Sequence, residues 1–267
     1  MKKLNTNFFI DLEKVDPNFD FCSDKISGIA QIAVEKKVDE TRNCPKQEQW
    51  EDYWSEIKSN KNKTPTFFNK KDDNLDKKEV FRYQGKFIES SNKCLASDCA
   101  HEIIKNVLDY IDVDFSSVVE LGCGNGHNLD YIKSLNKFDS INGCDFSPSA
   151  VSIIKQKGFG GFEFDMKRPS LSYLNENKLN NKDTIFFTSG SMEQLGAQWD
   201  SLFTFFSDSN INYIFHIEPI LELYSDSRLE SLASSFHQKK NYLTGYFSFL
   251  RAQSKFNISY SKTDFGT

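Results

Sequence analysis

The sequence lacks the marks of several protein classes. No apolar run approaches the roughly 18 residues of a membrane span. Met1-Lys2-Lys3 leads only into Phe8-Phe9-Ile10 before Asp11 and Glu13 intervene, too short for the apolar stretch of a secretory signal. The six cysteines (Cys22, Cys44, Cys94, Cys99, Cys123 and Cys144) form no CxxC pair and no Cys/His metal spacing, which predicts free thiols, a reducing cytoplasmic setting and no metal. Arginine is scarce, 5 against 28 lysines, and the six prolines include no adjacent pair. The 33 basic and 38 acidic side chains leave a net charge of −5, which argues against a chain whose main work is gripping nucleic-acid phosphates.

What is present is a globular composition: 38% hydrophobic, 14% aromatic and 27% charged over 267 residues, enough for one large domain or one domain plus an extension. Residues 57–78 are dominated by Lys, Asn and Asp and predict a mobile polar segment. Before it, 26–38 has helical apolar spacing, and Trp50, Tyr53, Trp54 and Ile57 recur close to i, i+3, i+4, i+7, a stripe expected to be core. The chain therefore divides into an N-terminal, mostly helical cap at 1–96 and a regular core at 97–267.

In the core, strand and helix alternate. Ser97 or Asp98 is placed to cap a helix bearing Ile103, Ile104, Val107, Leu108 and Ile111. Strands follow at 117–121, 140–144, 161–164, 184–188 and 212–217. Ser147-Pro148 opens a helix that Gly158 ends, and Ser191-Met192-Glu193-Gln194 reads as a capping box opening a helix through Trp199, Leu202 and Phe206. A long helical region spans 226–252, and 256–265 supplies a sixth strand. Such alternation predicts an α/β fold with a doubly wound, mainly parallel, Rossmann-like sheet that binds ligands at the carboxyl ends of its strands.

The most informative stretch is Val118-Val119-Glu120-Leu121-Gly122-Cys123-Gly124-Asn125-Gly126-His127. An apolar strand enters three alternate glycines and then a helix, so the backbone turns tightly and admits a close ligand. The nicotinamide dinucleotide fingerprint GxGxxG would need glycine where His127 stands, which disfavours an oxidoreductase. About 20 residues on, Gly143-Cys144-Asp145-Phe146-Ser147 places an acid at the end of the next strand, and Phe164-Asp165-Met166 places another after the third.

With Glu120 two residues before a GxGxG turn, and Asp145 and Asp165 where they stand, the chain resembles the class I S-adenosylmethionine-dependent methyltransferases. The resemblance covers about residues 97–260. It implies that the turn Gly122, Cys123, Gly124, Asn125, Gly126 with Glu120 cradles the methionine part of S-adenosyl-L-methionine, that Asp145 with Phe146 meets the ribose, and that Asp165 with Met166 and Ser189 lines the rest of the cofactor site. It also implies seven strands, the seventh antiparallel. Only six are found, so either the C-terminus is truncated or the sheet edge is built differently.

Neither an Asn-Pro-Pro-Tyr type motif nor a Pro-Cys follows the fourth strand, which moves the acceptor away from nucleic acid and toward a small molecule or glycan precursor. On a strand His216 and Glu218 share a face that ends at the carboxyl edge. His216 or His237 is thus the expected general base, with Glu218 orienting the acceptor hydroxyl. The segments holding Glu193, His216, Glu218, His237, Tyr242 and Tyr246 look like a subgroup associated with bacterial surface polysaccharides, nearest to capsular O-methyl phosphoramidate methyltransferases. That likeness puts Glu193, Tyr242 and Tyr246 at the acceptor. Arg82, Tyr83 and Lys86, ahead of the core, are placed to meet an anionic acceptor or the cofactor carboxylate, or to form a solvated turn. A non-catalytic, cofactor-binding partner subunit of the same fold is the alternative. Oligomeric state is not legible.

Overall fold

The computed structural model of the chain describes residues 15–23, 25, 27–28, 30–32, 35–36, 46–60, 78–83, 86–92, 94–111, 113–224, 227–258 and 265–266. Most of the polar segment at 57–78, parts of the 26–38 helix, Cys44 and most of the expected sixth strand lie outside those residues. None of the helices described is long and apolar enough to cross a membrane.

In chain order the elements are β1 (Asp20–Phe21), α1 (Lys46–Ser59), β2 (Glu79–Tyr83), β3 (Lys86–Ser90), α2 (Leu95–Tyr110), β4 (Ser117–Leu121), α3 (His127–Ser134), β5 (Ser140–Asp145), α4 (Pro148–Gln156), β6 (Gly160–Glu163), α5 (Ser172–Glu176), β7 (Thr184–Ser189), α6 (Asp200–Asp208), β8 (Tyr213–Ile217), α7 (Arg228–Lys239), α8 (Tyr246–Ala252) and β9 (Phe265–Gly266), with short 3-10 turns at Met192–Leu195 and Leu221–Leu223.

The main sheet has the order β6-β5-β4-β7-β8, and every pairing in it is parallel. This is the doubly wound, Rossmann-like arrangement expected from the alternation of strand and helix. All five residues of β4 and the first five of β7 are buried because helices cover both faces, which explains why these strands read as nearly continuous apolar runs. On one face Phe186, Leu174, Leu202, Phe205, Phe206 and Tyr246 form the largest cluster. Ile104, Leu108, Val118, Ile132, Ile185 and Phe187 fill the other. The strand order reverses between β4 and β7, so the crevice for a ligand opens at the carboxyl ends of these two strands.

Other expectations are corrected. The residues before the core hold sheet as well as helix: β2 and β3 pair antiparallel from Glu79↔Ser90 to Tyr83↔Lys86, and β1 adds to β3. Phe265 and Gly266 pair with Tyr83 and Arg82 of β2, so the described end of the expected sixth core strand joins this small sheet. α2 starts at Leu95, not after Ser97 or Asp98; its first turn is set by Asn92, whose Oδ1 accepts from Cys94 N (2.8 Å). The helix expected from Ser191 through Phe206 is interrupted. Gly196 takes φ 60°, ending the 3-10 turn, and α6 begins at Asp200. The helical region at 226–252 is likewise two helices, α7 and α8, parted at Gly245 with φ 78°.

Candidate functional site: the carboxyl edge of the main sheet

At the end of β4 the chain passes through Gly122, Gly124 and Gly126, all in the left-handed region at φ 74°, 51° and 73°. Only glycine adopts this repeatedly without strain. The turn is held from below by Gly122 N and Cys123 N, which donate to Cys144 O on β5 (2.7 and 2.9 Å). Gly124 N donates to Asp145 Oδ2 (3.0 Å), and Ser147 N donates to Asp145 Oδ1 (3.0 Å). Asp145 is thus the brace between the glycine turn and the start of α4, where Ser147 caps Ala150 N (3.0 Å). Burial pushes its carboxyl up to about 6 despite these donors. Phe146 beside it is half-buried.

Glu120 is 2% exposed. Its Oε1 accepts from Asn128 Nδ2 on α3 (2.7 Å), whereas its Oε2 is buried with no hydrogen-bond partner. Burial pushes this carboxyl up to about 8, and the nearby charges of Asp145 and Glu218 act in the same direction. Behind Asn128 stands a column of rings in which His101 stacks on Tyr131 (4.1 Å between centroids) and on His127 (4.6 Å). Burial lowers both histidines, His101 to about 4. Asn128 was missed from the sequence; the available signal was a polar residue beside Leu129 on the inward face of a helix, which must find a partner.

Around this turn the structure assembles most of the residues expected at a cofactor. The Met166 methyl lies 3.5 Å from where a Cβ on Gly122 would be. Asp165 is partly exposed and accepts from Lys167 N (2.9 Å) and Arg168 Nε (3.1 Å), which shapes the loop after β6. Asn125 turns its Oδ1 back to His127 N (3.3 Å). Cys123 and Cys144 are buried thiols whose pKa burial raises. Ser189 ends β7 beside Gly190, whose N donates to Ile217 O (3.0 Å). Two side chains press on the turn from outside. Ser191 donates from Oγ to Leu121 O (2.7 Å), and its Cβ occupies the space where a Cβ on Gly122 would stand. The Trp54 indole of α1 reaches within 2.5 Å of the Cβ position of Gly124.

The residues expected to do acid–base work carry other duties. Glu218 accepts from Ser191 N (3.1 Å) and Met192 N (3.0 Å) at Oε1 and from Glu193 N (3.0 Å) at Oε2, so it caps the 3-10 turn instead of orienting an acceptor. Burial raises its pKa against the pull of the Thr188 hydroxyl and the three amides. The Thr188 hydroxyl meets His216 Nδ1 (2.9 Å), and His216 Nε2 meets the Tyr246 hydroxyl (3.2 Å). Donors and acceptors run in one direction through this set: Tyr246 O–H to Nε2, Nδ1–H to Thr188, and Thr188 O–H to Glu218. Desolvation lowers His216 to about 4, so it is a poor base near neutrality. His237 is 1% exposed, and its Nε2 donates to Leu243 O (2.8 Å), holding the turn after α7. The general-base expectation for His216 and His237 is therefore withdrawn, as is the orienting role of Glu218.

The expected acceptor residues are only partly brought together. Tyr83 is 7% exposed and packs with Phe81, Ile88, Leu95 and Cys99 in the small-sheet core, so it does not meet a ligand. Arg82 pairs with Glu230 of α7 and lies over the Tyr224 ring (5.4 Å). It is spent on docking the small sheet and is not held open for an anion. Tyr242 hydrogen-bonds Gln194, and both Tyr242 and Tyr224 feel the charge of Glu193. Tyr246 is 4% exposed against Trp199.

No protein-family model and no curated protein matches this sequence. Among solved structures, a geranyl diphosphate C-methyltransferase from Streptomyces coelicolor A3(2), crystallised with S-adenosyl-L-homocysteine, is similar at 12% identity over 78% of each chain, with a TM-score of 0.45. A plantazolicin methyltransferase in complex with SAH matches 85% of this chain and 76% of its own at 15% identity (TM-score 0.41). A SAM-dependent methyltransferase from Anabaena variabilis ATCC 29413 matches at 12% identity over 57% of this chain (TM-score 0.35); the chain spans about half of that enzyme, 52% of its length.

Proposed function

We propose that the chain is an S-adenosyl-L-methionine-dependent methyltransferase that methylates an oxygen of a small molecule, a glycan or phosphoramidate precursor of a bacterial surface polysaccharide. The observation that carries the reading is Glu120, a buried carboxyl group whose Oε2 has no partner at the base of a three-glycine turn. Leaving such an oxygen unpaired costs about 1–3 kcal/mol or more, so a ligand that donates to it is favoured. With Asp145 and Glu218 close enough to raise its proton affinity, the site suits a ligand bearing positive charge. S-adenosyl-L-methionine carries an ammonium and a sulfonium, and supplies an electrophilic methyl group. A nicotinamide dinucleotide would instead bring its pyrophosphate against three acids, which argues against the oxidoreductase.

In this reading Glu120 and the Gly122–Gly126 turn hold the methionine end, and Asp145 and Phe146 face the ribose. Asp165, Met166 and Ser189 border the remainder. With His216, Glu218 and His237 engaged inside the fold, acceptor activation falls to alignment and to an oxygen that is already ionised, as a phosphoramidate oxygen is near neutral pH. The expected kcat/KM profile has no histidine inflection; one near pH 6 would belong to the Asp145 carboxyl and should persist in His216→Gln. Such an inflection, removed by His216→Gln, would restore the histidine base.

Calorimetry with S-adenosyl-L-methionine on the wild-type chain and on Asp145→Ala tests the cofactor assignment. Affinity should fall at least tenfold in the variant, and equal affinities would remove Asp145 from the site. A second reading, a non-catalytic partner subunit, draws on Trp54 and Ser191, which fill the space beside Gly124 and Gly122. Binding of S-adenosyl-L-homocysteine without turnover on phosphoramidate or glycan acceptors would favour it.

A further inference from the structure

The helix α1 is remote in sequence from the glycine turn, yet it grips the two places that matter there. Its apolar side is seated on α4: Trp54 and Ile57 are buried with Ala150, and Trp50, Tyr53 and Ile153 pack around them. From that seat the Trp54 indole lies over Gly124, with Cζ2, Cη2 and Cε2 at 2.5, 2.9 and 3.3 Å from the glycine's Cβ position. One turn earlier, Glu51 binds the beginning of α4. Its Oε2 accepts from Ser147 Oγ and from Ser149 N (3.4 Å), and its Oε1 accepts from Ser149 Oγ (2.7 Å). A carboxylate at a helix N-terminus is further favoured by the helix dipole. Burial, which pushes Glu51 up, is outweighed by the donors from Ser147 and Ser149, so its carboxyl is held below the usual range.

Both grips fall on the cofactor cradle. Gly124 is the middle of the turn, and Ser147 is two residues from Asp145, whose Oδ1 accepts from Ser147 N. Glu51 also adds negative charge beside Asp145 and contributes to its raised proton affinity. A ligand lying against Gly124 would share that space with the Trp54 ring.

Building on the cofactor assignment above, we propose that α1 is a latch over the cofactor cradle, with Trp54 as the plug against Gly124 and Glu51 as the catch on Ser147 and Ser149, and that cofactor exchange requires its release. Breaking the catch speeds entry and exit together, because it lowers the barrier common to both, while the bound state changes little. Removing the plug frees the face of Gly124.

Stopped-flow binding of S-adenosyl-L-homocysteine to the full chain tests this. Glu51→Ala should raise the association and dissociation rate constants at least tenfold each, leaving Kd within about threefold of wild type. The tryptophan emission change on binding should be present in wild type and largely lost in Trp54→Phe. Trp54→Phe keeps a ring on α4, and Glu51→Ala touches only a half-buried surface bond, so neither tests folding alone. Wild-type binding with unchanged rates in Glu51→Ala overturns the latch and leaves the cofactor reading standing. An emission change of equal size in Trp54→Phe also overturns it. No binding by wild type, Glu51→Ala or Trp54→Phe overturns both readings.

Discussion

The two halves of the sheet's carboxyl edge are built on opposite plans. On the β4–β5 side a buried acid, Glu120, keeps an oxygen without a partner, and the turn above it is glycine with side chains laid against it from other elements. On the β7–β8 side Glu218 takes three backbone amides and His216 is engaged at both ring nitrogens. The first half is poised to receive charge. The second is closed on itself. The difference teaches that acids and histidines at a strand edge are not by themselves chemistry; Glu120 keeps an unpartnered oxygen, whereas both oxygens of Glu218 are committed to capping a turn.

Four measurements sharpen or break this contrast. The largest effect should come from Glu218→Ala, which strands three amides. It should cost about 3 kcal/mol and lower Tm by about 6–12 °C. Lost turnover with unchanged Tm would turn the closed half into a catalytic one. Next, Asp145→Ala should weaken S-adenosyl-L-homocysteine binding by about thirtyfold, or about 2 kcal/mol, measured by calorimetry. The third concerns pH. Because Glu120 is raised to about 8, the native state holds a proton that the unfolded chain releases at the ordinary carboxylate pKa. Stability of the ligand-free chain therefore falls as pH rises toward 8. Glu120→Gln should flatten that fall between pH 6 and 8 by about 2 kcal/mol in denaturant titrations, and an unaltered slope would mean that Glu120 ionises freely. The smallest effect is expected from His216→Gln, with kcat changed less than threefold.

Much of the core was legible because its information is local. β4 and β7 are buried on both faces and therefore apolar throughout, and Ser147-Pro148 caps α4 as read. Glu120 and Asp145 were legible because a strand, a glycine turn and the next strand's end keep fixed spacing. The β2–β3 pair was missed because Arg82, Tyr83 and Lys86 were weighed as ligands, although two short alternating runs parted by Gln84-Gly85 carry a hairpin signal. Glu51 and Trp54 had no local signal: Glu51 meets Ser147 across 96 residues, and only tertiary packing brings them together. The same holds for Glu218, whose amide partners lie 25 to 27 residues earlier.

The pairing of Phe265–Gly266 with Tyr83 and Arg82 also bears on how the chain assembles. Each of the five main-sheet strands pairs with at least one neighbour close in sequence, whereas the last strand of the small sheet lies about 180 residues beyond its hairpin. Contacts of such range are slow to form and costly in chain entropy. During synthesis the parallel sheet and the β1-β3-β2 strands packed on α2 can therefore consolidate first, and the pairing of β9 with β2 is the natural last step of folding.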